Sequence, residues 1–335
     1  MLNVSSETPN YIVRFFIGKG GVGKTTTAAA YALKMAMKGF RTYIISLDPA
    51  HNLGDVLNTE LGDEPKKVYD NLWAIEVDYE DMIKKHLKQL SDKIKDIYGY
   101  LKIFNLDKYV DVLRHSPGIE EQASLEKIIE IIRSYGEKNK ADVIVFDTPP
   151  TGLTLRIMAL PTISLIWIDK LMELRLAILE RRRAITKITG EEFEIEIGGK
   201  KLRVPVDVAE DPIYKELINL KSEYSWINNV LTDPTKTIVA LIINPEMLPI
   251  LEAYRAYQFL TKIGIHTEYI ILNKVLIVRS VPEELKPKIN EQNKAIEEAR
   301  RLFENKTFAE IPYLPKEPRG IDDLKDIITY IENIS

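Results

Sequence analysis

The sequence carries a glycine-rich loop that ends in a lysine and a threonine. Its residues, Gly18-Lys19-Gly20-Gly21-Val22-Gly23-Lys24-Thr25, fit the pattern G-x-x-x-x-G-K-[ST]. Glycines let backbone N–H groups wrap phosphate oxygens, and a helix that starts there adds the positive end of its dipole. Lys24 would neutralise those oxygens, and the Thr25 hydroxyl would ligate Mg²⁺ directly. The loop therefore predicts a phosphate-binding site formed by Gly20, Gly21, Val22, Gly23, Lys24, Thr25 and Thr26.

Two aspartates follow predicted strands and could act on a phosphate bound at this loop. Asp48 comes after the short apolar stretch Thr42–Ser46, and Asp147 ends the buried stretch Val143–Phe146. A carboxylate at Asp48 would lie beside the terminal phosphate, where it could orient an attacking water. Asp147 would lie at a strand tip, where an acid can hold the hydration shell of a magnesium ion. We therefore expect both aspartates to reach Mg²⁺ through water, and Asp48 and Lys24 to be catalytic.

The elements that must position these residues alternate between strands and helices. The apolar stretch Tyr11–Ile17 precedes the loop, and the small-residue stretch Thr25–Met37 follows it. Strand, loop, helix and strand form a βαβ unit, which implies a parallel sheet covered on both faces. We therefore expect an α/β fold with a doubly wound, mostly parallel sheet. The remaining predicted elements are strands at Val143–Phe146, Thr237–Ile243, Glu268–Leu272 and Phe308–Ile311, and helices around Glu246–Lys262 and Asp322–Ile331.

Two helical stretches interrupt this alternation. In the first, Tyr79–Leu113, apolar residues recur every three or four positions, as on an amphipathic helix. The second, Leu153–Ile188, carries apolar residues on more than one face, and a β-hairpin is predicted after it at Phe193–Val204. We interpret residues 1–335 as a single nucleotide-binding domain with helical insertions at about 79–135 and 153–235. Since apolar faces must be covered by core or by a bound partner, the insertions form a candidate subdomain for binding an apolar partner.

The composition excludes several classes of site. The 335 residues include no cysteine, which excludes disulfides, thiolate zinc sites, iron–sulfur clusters and a thiol nucleophile. The 46 basic and 50 acidic side chains nearly balance, which argues against an obligate nucleic-acid binder. No signal peptide is recognisable, and the most apolar stretch, Ile157–Ile168, is shorter than the roughly 18–20 residues that a membrane span needs. We expect a cytoplasmic protein.

A series of motifs resembles those of the ArsA/GET family of deviant P-loop ATPases, which includes arsenite-pump ATPases and tail-anchored protein targeting factors. They are the loop KGGVGKTT with its extra Lys19, DPAHN from Asp48, PGIEE from Pro117, DTPPTGLTLR from Asp147, and IPYLPKEPRG from Ile311. The fourth departs from the family's DTAPTGHTLR at Pro149 and Leu153. The resemblance implies a P-loop ATPase that binds ATP and Mg²⁺. The eukaryotic members of the family carry a zinc-binding Cys-x-x-Cys. This sequence lacks that motif and in this respect resembles archaeal members.

The resemblance also implies roles for individual residues. Lys19 would be the signature lysine, which reaches the phosphates of a facing subunit of a homodimer, and Asp48 would be the water-orienting acid. Asn273 would read the adenine edge with help from the backbone near Pro315. Glu246 would lie at the nucleotide and dimer interface. On residue chemistry alone, however, an Asn at a strand end is more often a turn cap.

What ATP hydrolysis would drive is open between three alternatives. Pump ATPases bind arsenite through thiolates, which this sequence lacks, and they are usually tandem duplications. Targeting ATPases hold a hydrophobic client helix in an apolar groove, and the two helical stretches occupy the corresponding places, although an apolar helix can equally be ordinary core. Partition or division-site ATPases need basic surfaces, which are not prominent here. We expect a homodimer that binds the helix of a tail-anchored client and no nucleic acid, with a membrane receptor that the sequence does not identify.

Overall fold

The computed structural model describes residues 11–50, 52–97, 116–190, 194–197, 200–203, 205–277 and 282–335. The strands are β1 (Ile12–Gly18), β2 (Thr42–Ser46), β3 (Lys66–Tyr69), β4 (Leu72–Glu76), β5 (Val143–Asp147), β6 (Glu194–Ile197), β7 (Lys200–Arg203), β8 (Thr237–Ile243), β9 (Thr267–Val275) and β10 (Thr307–Pro312). The helices are α1 (Lys24–Met37), α2 (Leu53–Leu57), α3 (Tyr79–Ile97), α4 (Ile119–Ile131), α5 (Thr151–Thr189), α6 (Pro212–Thr232), α7 (Met247–Lys262), α8 (Lys286–Leu302) and α9 (Gly320–Ile328).

The main sheet has eight strands in the order β10-β9-β8-β1-β5-β2-β4-β3. Neighbouring strands pair in parallel, except that β3 and β4 are antiparallel. The predicted α/β fold with a mostly parallel sheet is therefore confirmed. Because β1 pairs with β5 and β8, and β5 pairs with β2, the segments that follow these strands meet at one edge of the sheet.

The central strands are apolar because helices cover both faces of the sheet. In β1, Val13, Phe15 and Ile17 have no solvent exposure, and Phe15 stacks on Phe146 of β5 with ring centroids 4.8 Å apart. The run Ala28–Ala30 of α1 is also fully buried, since small side chains let this helix approach the sheet closely. The start of α1, where the phosphate-binding residues lie, is therefore rigidly held.

The sequence interpretation omitted strands β3 and β4 at one edge of the sheet. The sequence of β3, KKVY, is half polar and has no clear alternation, and β4 follows it after a turn in which Asn71 has a φ of 58°. A short polar edge strand gives little periodic signal, so its position depends on its pairing partner. These strands extend the sheet on the side of β2, away from β10.

Backbone contacts divide the chain into two compact units, with boundaries after Met82, Gln122, Met158 and Asn229. The first unit contains the main sheet with α1, α2, α7, α8 and α9, and the second contains most of α3, α5 and α6 and the hairpin of β6 and β7. Residues 98–113 of the first predicted insertion helix lie outside the described ranges. The single-domain organisation stays a prediction.

A buried ion pair fixes the start of α6 within the second unit. Asp211 has no solvent exposure, and its two carboxylate oxygens accept hydrogen bonds from Arg175 Nε at 3.0 Å and Arg175 Nη2 at 2.5 Å. Asp211 also accepts a 2.7 Å bond from the backbone N–H of Tyr214, in the manner of a helix N-cap. Although burial raises the pKa of Asp211, these hydrogen bonds leave it below its usual value.

Replacing Asp211 by alanine is expected to lower the free energy of unfolding by about 3 kcal/mol, because Arg175 would lose its buried partner. Urea unfolding at neutral pH measures this loss. The matched control is Asp207→Ala, which breaks the half-exposed pair between Asp207 and Arg183 and is expected to cost less than about 1 kcal/mol. Equal losses in the two variants would contradict a structural role for the buried pair.

Candidate functional site

The glycine-rich loop between β1 and α1 needs its glycines at two positions. A Cβ on Gly18 would lie 2.5 Å from the carbonyl oxygen of Ile242, and a Cβ on Gly23 would lie 2.2 Å from Asn273 Nδ2. Gly23 also has a φ of 93°, which side chains rarely tolerate. The loop is therefore packed tightly against the ends of β8 and β9.

Five polar side chains converge where the loop enters α1. Thr25 Oγ1 donates a 2.8 Å hydrogen bond to Asp147 Oδ2, which also accepts a 3.2 Å bond from Ser46 Oγ. Lys24 Nζ lies 3.5 Å from Asp48 Oδ2, and both side chains are nearly buried. Parallel pairing of β1, β5 and β2 brings these residues together from distant parts of the sequence. Lys24, Thr25, Asp48 and Asp147 are thus grouped as the sequence predicted, and their roles stay predictions.

Asp147 is fully buried, and only one of its oxygens is bonded. Asp147 Oδ1 has no hydrogen-bond partner within the described part of the chain. Burial raises the pKa of Asp147 to about 7, against the opposing effects of the Thr25 hydrogen bond and the charge of Lys24. An unpartnered buried carboxylate oxygen beside a threonine hydroxyl fits the hydration shell of a hard cation.

Lys24, Thr25 and Asp48 line a cavity of about 680 Å³, which is large enough for a nucleotide, and the buried Asp147 is bonded to Thr25 beside it. One wall is the loop from Gly20 to Thr27, and another is the segment from Ile311 to Arg319, which includes Pro315. Asn273 lies between them and donates from Nδ2 to the carbonyl oxygen of Val22 at 2.7 Å. Apart from Val22, the predicted phosphate and adenine residues therefore face one cavity.

Two predicted site residues form ion pairs elsewhere. Lys19 lies 3.2 Å from Glu252 and lines a second cavity of about 330 Å³ on the other side of the loop. Glu246 Oε1 lies 2.9 Å from Lys288 Nζ, and both side chains are about half exposed. Both pairs are open to solvent, so little energy is needed to exchange their partners.

Sequence reasoning missed two residues that shape the cavity. Ser46 is the last residue of β2, and a polar residue that ends an apolar strand could have signalled its role. Glu76 ends β4 and accepts hydrogen bonds from the backbone N–H groups of Leu53 at 2.9 Å and Gly54 at 3.2 Å. Glu76 thereby anchors α2, which follows the DPAHN motif; His51 of that motif lies outside the described residues.

Helix α5 carries an exposed apolar face in the second unit. Its large apolar side chains between 46% and 65% exposed are Ile163, Ile166, Trp167, Leu171 and Leu174. Steps of three or four residues place most of them along one face of the helix. Exposed apolar surface of this kind usually marks a binding site.

By length and composition alone, α5 could cross a membrane. In its most apolar stretch, 33% of the residues are buried. The sequence-based expectation that no segment is long enough must be corrected, because α5 continues through Pro161 over 39 residues. A core helix of a globular protein passes the same test, so the feature does not assign α5 to a membrane.

The chain is similar to known proteins over nearly its whole length. Residues 11–333 match the sequence model of a family described as Anion-transporting ATPase. A Paramecium tetraurelia protein named ATPase ASNA1 homolog 2 is 31% identical over 322 residues, which cover 95% of this chain and 93% of that protein. An Aquifex aeolicus protein provisionally named arsenical pump-driving ATPase 2 is 30% identical over 319 residues, covering 95% and 98%. A Halobacterium salinarum protein with a similar provisional name is 30% identical over 335 residues, which cover 96% of this chain and 44% of that protein.

Proposed function

Because this chain belongs to the family of anion-transporting (ArsA) ATPases, we propose that it is a Mg²⁺-dependent ATPase that works as a homodimer. The observation that carries the proposal is the convergence of Lys24, Thr25, Asp48 and Asp147 at one end of a nucleotide-sized cavity. ATP hydrolysis needs a cation for the phosphates, a metal site and an acid that holds water, and these residue types supply all three.

In the proposed reaction, water attacks the γ-phosphorus of ATP, and the bond to the bridging oxygen breaks to give ADP and inorganic phosphate. Asp48 would orient the water, and Lys24, now paired with Asp48, would turn its charge to the phosphate oxygens. The loop N–H groups would hold the phosphates in place. Lys24, Thr25 and Asp48 are already grouped at the end of the loop, and preorganised groups of this kind lower the cost of stabilising the reacting phosphate.

Magnesium fits the residues present. The Thr25 hydroxyl donates its hydrogen bond to Asp147, so the lone pairs of Thr25 Oγ1 remain available to a cation. Asp147 Oδ1 can accept a hydrogen bond from metal-bound water. When bound, Mg²⁺ would neutralise charge on the β- and γ-phosphates. Within the described residues no cluster of three or more His, Cys, Asp or Glu could hold a metal ion alone. The nucleotide and water must therefore complete the shell.

The proposed homodimer rests on Lys19. Within a single chain this lysine pairs with Glu252 beside the second cavity, so its ammonium group does not lie in the nucleotide cavity of that chain. A second copy facing this surface would receive the lysine, as the family resemblance implies. Glu246 lies on an exposed surface at the start of α7, which suits a place at the same interface.

The experiment that tests the ATPase proposal is phosphate release from ATP by the purified chain, with Mg²⁺ and with excess chelator. Steady release that stops when the metal is removed supports the proposal. Calorimetric titration with ADP and Mg²⁺ separates binding from turnover. A chain that binds ADP without hydrolysing ATP would overturn the enzyme assignment, and a chain that binds neither would overturn the nucleotide site.

We further propose that the client is the hydrophobic helix of a tail-anchored membrane protein and that the protein acts in the cytoplasm. The exposed apolar face of α5 supports this, because an apolar helix of a partner would cover such a face. The absence of cysteine opposes a thiolate arsenite site. The near balance of charge opposes a DNA-binding partition ATPase.

Replacing Trp167 and Leu171 together by glutamate is expected to weaken binding of a fluorescent tail-anchor peptide by at least about tenfold, because charges would enter the apolar contact. Fluorescence anisotropy with ATP present measures the affinity. The control is Lys187→Glu, which also introduces a glutamate on α5 but away from the exposed apolar face. No peptide binding by the wild type, together with salt-sensitive binding of DNA, would contradict the targeting role.

A further inference from the structure

The residues just after the apolar core of β9 contact the phosphate loop twice. Asn273 Nδ2 donates to the carbonyl oxygen of Val22 at 2.7 Å, and Lys274 Nζ donates to the carbonyl oxygen of Gly21, also at 2.7 Å. Two consecutive side chains therefore hold two consecutive loop carbonyls. The second bond is charge-assisted, which makes it the stronger kind.

The backbone around Lys274 is shaped to make this double contact. Lys274 has a φ of 61°, in the left-handed region that side chains other than glycine rarely adopt. Its backbone N–H donates to Asn273 Oδ1 at 2.9 Å, which favours this conformation and fixes the orientation of the Asn273 amide. Without the left-handed turn, successive side chains of a strand would point to opposite faces.

Val275 and Leu276, which follow Lys274, are also fixed by hydrogen bonds. The side-chain amide of Gln292, nearly buried, bonds to both the N–H and the carbonyl of Leu276, at 2.8 and 3.2 Å. The carbonyl of Val275 accepts a 2.8 Å bond from the N–H of Tyr313, in the segment that lines the far wall of the cavity. Residues 273–276 are thus a rigid support between that segment and the phosphate loop.

Fixing a carbonyl also fixes the N–H group of the same peptide plane. In a trans peptide the C=O and the next N–H point in opposite directions. Holding the carbonyls of Gly21 and Val22 therefore orients the N–H groups of Val22 and Gly23 away from Lys274 and Asn273, and the Val22 N–H makes a long 3.4 Å bond to the carbonyl of Lys19 within the loop. Glycine-rich peptides otherwise rotate easily, and a carbonyl turned toward a phosphate would repel it.

We propose that Lys274 is a positioning residue for the nucleotide, whose ammonium group locks the Gly21 peptide so that its carbonyl oxygen cannot turn toward the phosphates. The inference rests on the nucleotide-binding function proposed above and gives Lys274 a role of its own. Lys274 acts through the loop, so ADP and ATP depend on it equally.

Lys274→Met removes the ammonium while keeping most of the length of the side chain, and Lys274→Arg restores a charged donor. Calorimetry with ADP and with a non-hydrolysable ATP analogue is expected to give about tenfold weaker binding of both to Lys274→Met, and recovery to within about threefold in Lys274→Arg. KM for ATP rises while kcat changes little. The exposed Lys262→Met on α7 is the control and binds like the wild type.

Hydrogen exchange of the nucleotide-free protein gives a second readout that needs no ligand. Backbone amides of residues 18–23 are expected to exchange faster in Lys274→Met than in Lys262→Met. Unchanged affinity and unchanged exchange would overturn the inference. Selective loss of the ATP analogue would overturn it as well, since it would indicate direct contact with the γ-phosphate. If the wild type binds no nucleotide, the proposed function fails, and the exchange experiment still decides whether Lys274 orders the loop.

Discussion

Replacing Asp48 by asparagine is expected to lower ATP turnover by about 10²–10⁴-fold while ADP still binds. The amide keeps the size of the side chain and can still accept the 3.1 Å bond from the Ala50 N–H, so the local backbone should persist. It lacks the negative charge that would orient and polarise the attacking water. Phosphate release under saturating ATP measures the loss.

The effect of Asp48→Asn on ADP affinity distinguishes a loss of catalysis from a loss of folding. Lys24 is only 5% exposed and would lose its counter-ion, so its charge would have the nucleotide phosphates as its remaining partner. ADP affinity in Asp48→Asn should therefore equal or exceed that of the wild type. Asp70→Asn, at an exposed site on the turn between β3 and β4, is the control. An unchanged rate in Asp48→Asn would remove Asp48 from its catalytic role.

Replacing Lys19 by alanine is expected to lower turnover by about 10³-fold, because a cation supplied across a subunit interface stabilises the charge that develops on the transferred phosphoryl group. Lys19 is 62% exposed, and among the described residues its ammonium pairs with Glu252 alone, so the resting chain would lose little stability. ADP binding to a single copy should be unaffected. Stopped-flow phosphate release at high protein concentration measures the effect.

A companion variant tests where Lys19 acts. Glu252→Gln frees the lysine from its partner in the same chain, and turnover in this variant should be retained or increased. If Glu252→Gln were as inactive as Lys19→Ala, the pair itself would be required for activity. That outcome would contradict the transfer of Lys19 to a facing subunit.

The sequence predicted those parts of the site that depend on local chemistry. Gly23, Lys24 and Thr25 belong to one motif, and its physical context of strand, loop and helix was recognisable from neighbouring residues. The convergence of Asp48 and Asp147 was predictable as well, since both follow buried parallel strands. In each case a short stretch of sequence carries both the chemistry and the element that positions it.

The rest depends on contacts between distant residues, which no local pattern encodes. Gln292 reaches Leu276 across 16 residues, and Glu76 reaches Leu53 across 23 because β4 pairs with β2. Asn273 had two interpretations, a turn cap and an adenine reader. Its Oδ1 accepts the N–H of the following residue, as a cap does, while it also lines the cavity, so its role toward adenine stays a proposal.

For α5, the sequence indicated an apolar helix, but only the fold distinguishes its exposed face from its buried one.

The central claim is ATP hydrolysis in a site that a second copy of the chain completes, and mixing two inactive variants tests it most directly. In a mixed dimer of Lys19→Ala and Asp48→Asn, the subunit that keeps Asp48 receives an intact Lys19 from its partner. Phosphate release should therefore return to about a quarter of the wild-type rate, since half of the dimers would be mixed and each would hold one complete site. No release from the mixture, under conditions in which the wild type is active, would contradict the claim.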